Sequence, residues 1–176
     1  MITPEFSRPV SVLDLEDGDF AKHTIEADEH ECRALARRFA VAEVESVQAD
    51  IVLAREGRQV VARTDLSAKV EQTCVVSLRP MKVQIRESFE RVFDPDVRLS
   101  GEFDETIDLD LDGEDPPDPL VDDMIDLGEM VAEQLGLSLD PYPRLEGATV
   151  DPRYVGQGGP ERDNPFAVLK GLKFDG

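Results

Sequence analysis

Basic residues, cysteines and histidines are all scarce in this chain. Its 19 Lys and Arg stand against 39 Asp and Glu, a formal net charge of −20 over 176 residues. Affinity for nucleic acid rests on neutralising phosphates with Lys and Arg, so a broad direct grip on RNA or DNA is disfavoured. The same field attracts basic proteins and speeds encounter with them, besides favouring solubility. The shortage is also local, because no Lys or Arg occurs between Leu99 and Pro143. Cys32 and Cys74 are the only two cysteines, too few for a disulfide framework, and in a cytosolic chain they are expected to be reduced. They form no Cys-x-x-Cys pair. With His23 and His30 as the only histidines, a four-ligand zinc site would have to be assembled from scattered positions. Neither histidine, each read as lying in or beside a polar helix start, has an evident serine or cysteine to activate. No apolar run is long enough to cross a bilayer. The first residues lack a basic region followed by a hydrophobic one, so no signal peptide is read and a cytoplasmic protein is expected. There is no Walker loop, dinucleotide-binding glycine pattern or zinc-protease helix motif. These absences disfavour an enzyme, and no metal or cofactor is expected.

What is present is a run of alternating segments and two capped helices. Phe6, Arg8, Val10 and Val12 alternate around Pro9, which suits an edge strand. Asp17-Gly18-Asp19 is a turn. Asp28 and Glu31 have capping-box spacing, and Cys32, Leu35, Ala36 and Phe39 mark one face of a short helix ending near Phe39. From Val44 the period becomes two, with Val47, Ala49, Ile51 and Leu53 on one face. Arg55-Glu56-Gly57-Arg58 is a hairpin signal. The return strand starts at Val60 and carries Leu66, Ala68, Val70, Gln72, Cys74 and Val76 before Pro80 breaks it. Val83, Ile85, Phe89 and Phe93 form the next strand, interrupted on that face by Glu87 and Arg91 and ended by Asp94-Pro95-Asp96. Phe103, Ile107, Leu109 and Leu111 then alternate with Asp104, Thr106, Asp108 and Asp110, giving one buried and one very acidic face. Residues 113–119, rich in proline and acid, read as a loop.

The second helix begins at Asp126, whose spacing to Glu129 makes another capping box. Leu127, Met130, Val131 and Leu135 form its apolar stripe, and Gly136 is the expected C-cap. Leu137 and Leu139 follow as a short extended run, and Asp140-Pro141-Tyr142-Pro143-Arg144 makes a stiff exit. Residues 145–163 read as a flexible linker. Asn164 and Pro165 then suit the start of a short helix with an apolar row of Phe166, Leu169 and Leu172. Strands joined by short turns and helices set apart from them predict an α+β fold with an antiparallel sheet and two packed helices. Whether the sheet curls into a barrel is left open. The expected organisation is one domain over residues 1–144 and an extended tail over 145–176.

Several candidate sites carry bland readings. Asp108, Asp110, Asp112 and Gly113 resemble the opening of a calcium loop, but Pro119 stands where the bidentate Glu is needed. Cys74 is read as a small hydrophobe on a strand. Glu31, Glu129 and Glu133 are read as capping or solvent-facing groups. The surface expected to bind a partner is the acidic strand face of Asp104, Asp108 and Asp110, the loop residues Glu114, Asp115 and Asp118, and the apolar row Phe166, Leu169 and Leu172. That row must either dock on this domain or await a partner, and the second outcome is slightly favoured.

Two stretches carry a resemblance. Gln72-Thr73-Cys74-Val75-Val76-Ser77-Leu78-Arg79-Pro80, followed by a strand, resembles the central signature of the YceD-like family, known for large ribosomal RNA subunit accumulation. Ile125-Asp126-Leu127-Gly128-Glu129, the helix to Leu135, Leu137-Ser138-Leu139 and the following prolines resemble its second signature. The resemblance covers roughly residues 44–144, and the Asp140–Arg144 ending with Asn164-Pro165-Phe166-Ala167 is similar to the alphaproteobacterial branch. One departure is Ser77, where many members carry a second cysteine, so a metal or redox role of that pair does not carry over. The resemblance implies a cytoplasmic factor needed for accumulation of 23S ribosomal RNA, with no catalytic residue. Combined with the charge, it predicts an adaptor holding a basic ribosomal protein or assembly factor, with no direct RNA grip of its own. The alternative is a metal-dependent RNA-processing hydrolase using Asp108 and Asp110.

Overall fold

The computed structural model describes residues 4–97, 116–150 and 153. In chain order the elements are β1 (Pro9–Ser11), β2 (Phe20–Glu26), α1 (Glu29–Arg38), β3 (Glu43–Glu56), β4 (Gln59–Thr73), β5 (Pro80–Asp94), β6 (Asp118–Pro119), β7 (Met124–Asp126) and α2 (Leu127–Ser138). The main sheet has the order β2-β3-β4-β5-β6. It is antiparallel apart from the two-residue parallel pairing of β6 with β5. The architecture is α+β. The sheet is open: β2 lies at one edge and β6 at the other, and they do not pair with each other.

The period-two pattern places Val47, Ala49, Ile51 and Leu53 of β3, and Ala62, Leu66, Ala68 and Val70 of β4, on one buried face. Cys32 and Leu35 of α1 join them in one core with Leu127, Met130, Val131, Ala132 and Leu135 of α2. Both helices therefore cover the same side of the sheet. The other side, with Lys22, Asp50, Arg63, Asp65, Arg86 and Glu90, is exposed among the described residues.

Both helix starts follow from their caps. Asp28 accepts from the Glu31 amide and the Glu31 side chain reaches back to the Asp28 amide, a complete capping box. At α2 only half of the expected box forms. Asp126 accepts from the amides of Gly128 and Glu129, while the Glu129 carboxylate turns to Arg38 at the end of α1, at 2.7 and 2.8 Å. Glu31, Glu129 and Glu133 thus each hold an arginine: Arg8, Arg38 and Arg91, respectively. The N-terminal strand crosses the start of α2, and β1 pairs antiparallel with β7. Gly128 permits that crossing, since a Cβ there would lie 2.6 Å from the Phe6 carbonyl oxygen.

Several expectations are corrected. β2 was not foreseen, because Ala21, His23 and Ile25 make a weak apolar alternation; His23 lies within it and not at a helix start. His30 does sit in the first turn of α1. β4 stops at Thr73, so Cys74 and Val76 belong to a turn. Pro80 opens β5, where a missing amide donor costs little. Asp118 and Pro119, expected in a loop, form β6. Gly136 is not a C-cap: α2 continues through Leu137 to Ser138. The glycine instead makes room for Phe39, whose ring would stand 3.1 Å from a Cβ at that position. Glu87 and Arg91, read as interruptions of an apolar face, are polar anchors for α2. Glu87 accepts from Gln134 at 3.1 Å and from the Ser138 hydroxyl, and Arg91 meets Glu133 at 2.7 Å. The expected strand over residues 103–111 and the expected helix from Asn164 lie outside the described residues.

Candidate functional site

The two signature-like stretches meet at one end of the molecule. The last residues of β4 and the turn after it lie beside the exit from α2. There Gln72 Nε2 donates to the Asp140 carbonyl at 3.0 Å, and the Val75 amide donates to the Pro143 carbonyl at 2.9 Å. Cys74 is the hub. Its amide donates to the Arg79 carbonyl, and its carbonyl accepts from the Leu78 amide, both at 2.9 Å. Its sulfur accepts from the amides of Ser77 and Leu145, each at 3.4 Å. The side chain is fully buried. Sulfur is a weak acceptor as a thiol and a much better one as a thiolate. The Ser77 side chain, the Leu145 amide and the Ser77 amide accordingly lower the Cys74 thiol to about 6, against an opposing effect of burial. The Ser77 hydroxyl is sealed and has no partner of ordinary hydrogen-bond geometry, which leaves the neighbouring sulfur as the group it can turn to.

This clasp is tied by hydrogen bonds on both sides, and it displays apolar side chains outward. Leu78 has φ +57°, a left-handed conformation that costs a non-glycine residue about 1–2 kcal/mol. Its side chain is nonetheless 67% exposed, and Val75 and Tyr142 are exposed as well, at 47% and 74%. Tyr142 stands between two prolines, with its amide held by the Asp140 carboxylate at 2.8 Å. Arg79 and Arg144 flank the segment and are exposed.

The opposite end is acidic. Asp17 caps the β3–β4 hairpin by accepting from the Gly57 amide at 2.7 Å, and the Asp19 carbonyl accepts from the Arg55 amide. Asp94 and Asp96 lie against the same hairpin through Gln59 and Arg58. The Gln59 side chain and the Asp96 amide hold the Asp94 carboxyl below its ordinary value. Asp122 and Asp123 both have φ +53° in the turn before β7, a conformation Asp tolerates better than most residues. That turn is tied in through the Val12 amide, which donates to the Asp123 carbonyl. Chain order adds Asp14 and Glu16 to this end. The acid-rich stretch after Val97 leaves the described structure here, and Asp118 returns beside Phe93.

Of the residues expected to bind a partner, Asp118 is placed at this end, half-exposed and 3.5 Å from Arg91. Asp104, Asp108, Asp110, Glu114 and Asp115 lie outside the described residues, as do Phe166, Leu169 and Leu172. Sequence reasoning missed Asp94, Asp96, Asp122 and Asp123 as members of one surface, since only topology gathers them. It also missed the outward display of Leu78 and Tyr142, for which the prolines around Tyr142 were the available signal. Among the described residues, no three His, Cys, Asp or Glu side chains are grouped to hold a metal ion, and no helix is long and apolar enough to cross a membrane.

Comparison with known proteins adds a family. The family described as large ribosomal RNA subunit accumulation protein YceD matches residues 62–173. The match takes in most of β4, the Cys74 clasp, α2 and much of the C-terminal segment. No curated protein and no solved structure is detectably similar to the chain. With more than half of its length matched, and both ends of the clasp inside the match, the chain belongs to the YceD family of large ribosomal RNA subunit accumulation proteins.

Proposed function

We propose that this chain is a non-catalytic factor that supports 23S ribosomal RNA accumulation and large-subunit assembly by holding a basic ribosomal protein or assembly factor. The observation that carries the reading is the gathering of acid at one end. Asp14, Glu16, Asp17, Asp19, Asp94, Asp96, Asp122 and Asp123 come from three separate stretches of sequence. They meet around the β3–β4 hairpin, where they outnumber the nearby arginines Arg55, Arg58, Arg63 and Arg91. Arg58 is paired with Asp96 at 2.8 Å. The 98–115 stretch, which contains Asp104, Asp108, Asp110, Glu114 and Asp115, is attached at the same end. A surface of this kind repels RNA phosphates and steers a cationic protein toward it.

The test is binding of purified basic large-subunit ribosomal proteins to the full chain, followed kinetically at several salt concentrations. Affinity is expected to fall steeply as the screening length shortens toward about 8 Å at physiological ionic strength. The combined D14N, E16Q and D122N substitutions should act mostly by slowing association. Tight binding to naked RNA in physiological salt without a protein partner would refute the adaptor. So would Mg²⁺-dependent cleavage of precursor RNA that is lost on Asp108 and Asp110 substitution.

A further inference from the structure

We propose that the C-terminal apolar row of this same chain, Phe166, Leu169 and Leu172, covers the patch formed by Val75, Leu78 and Tyr142. The patch is built and then left bare. Backbone hydrogen bonds from Val75 to Pro143 and from Cys74 to Arg79 fix the turn and the proline segment against each other. The side chains they carry point away from the core and are about half to three-quarters exposed. Apolar side chains held on a hydrogen-bonded, locally strained frame mark a contact surface better than scattered surface leucines do.

Three observations select the tail as occupant. The tail starts at the patch, because the Leu145 amide is bonded to the Cys74 sulfur that organises the turn. The intervening stretch holds Gly156, Gly158 and Gly159, and a glycine-containing coil as long as Leu145 to Phe166 would have a root-mean-square reach of about 25 Å. That is ample for a return to its own origin. The family match runs unbroken from within β4 through the patch to residue 173, so the patch and the row belong to one family pattern. The energetics suit a contact within one chain. A helix as short as the one expected from Asn164 is marginal alone, but a short tether supplies an effective concentration in the millimolar range, so a contact too weak to hold a separate molecule suffices. A separate partner at this row, the outcome read from the sequence, is the alternative that the test distinguishes.

The test is methyl and aromatic NMR of the full chain and of full-length L169S and L172S. The core methyl groups of Leu53 and Val131 report whether the fold is retained. A chain ending at Gly159 is the companion variant. Each change is expected to shift the Val75 and Leu78 methyl and Tyr142 ring resonances and to speed amide exchange at Val75 and Leu78, with the core resonances unmoved. The full-length shifts should persist on dilution. Patch resonances identical in the full chain and all variants would overturn the proposal, because the tail then does not touch the patch. Patch resonances that revert to those of the truncated chain on dilution would also overturn it, because the occupant would then be a second copy.

Discussion

Cys74 shows how one buried atom can depend on its exact neighbours. Read from sequence it is a small hydrophobe, yet its sulfur accepts two backbone amides and lies beside the Ser77 hydroxyl. An unfolded cysteine titrates near 8.5, whereas the native thiol is lowered to about 6. Between those values the unfolded chain binds a proton that the native chain does not. Stability should therefore rise with pH across this window. The contribution is fully present above about 8.5 and is lost as pH falls through about 6. Denaturant unfolding over that range should show this slope in the wild type and a flatter one in C74A. Equal slopes in the two proteins would mean that the sulfur stays protonated in the native state.

At the scale of elements, α2 is held more by its start than by its end. The Asp126 carboxylate accepts from Gly128 and Glu129 as an N-cap. It also accepts from the Arg8 amide at 2.7 Å and the Ser7 hydroxyl at 2.6 Å. Loss of an N-cap costs about 0.5–2 kcal/mol. D126A should fall at the upper part of that range, because it also leaves the crossing N-terminal strand without two of its bonds. Chemical denaturation is the measurement. A loss below about 0.5 kcal/mol would show that the β1–β7 pairing and the packing of Phe6 suffice without the carboxylate. The last turn of α2 carries no basic residue, and its hold comes from Gln134 and Ser138 meeting Glu87 across the gap to β5.

The whole molecule is electrically lopsided. Arg79 and Arg144 flank the clasp, while the hairpin end gathers the acids and the origin of the 98–115 stretch. Crowded like charges work against the compact state. The exposed ion pairs, such as Arg33 with Glu29 and Arg58 with Asp96, contribute little in return, as surface pairs generally do. Moderate salt should therefore raise the melting temperature, since screening relieves repulsion at the acidic end more than it weakens these pairs. Thermal unfolding in low and physiological salt checks this. A fall in melting temperature with added salt would show that the arginine bridges to Glu31, Glu129 and Glu133 outweigh the repulsion.

Much of this architecture is legible along the chain. Alternation at Val47 to Leu53, at Leu66 to Val70 and at Val83 to Phe93 requires strands with one buried face. Asp28 with Glu31, and Asp126 ahead of Leu127, Val131 and Leu135, mark helices that start where they do for local reasons. These signals rest on side chains a few residues apart, so short-range geometry alone settles them. The remaining features depend on long-range contacts. Gly136 lies inside α2 and makes room for Phe39, and Cys74 leaves the strand to be gripped from Leu145, 71 residues on. Asp94, Asp96 and Asp123 share a surface through a hairpin and a crossing strand. Sheet closure was likewise undecided by the sequence, and is decided by the edge strands β2 and β6, which do not pair with each other. The sequence by itself determined the three long strands, the starts of both helices and how acidic the chain is. The tertiary structure decided where elements end, which side chains remain bare and which charges stand together, because each of those depends on neighbours that only folding brings within reach.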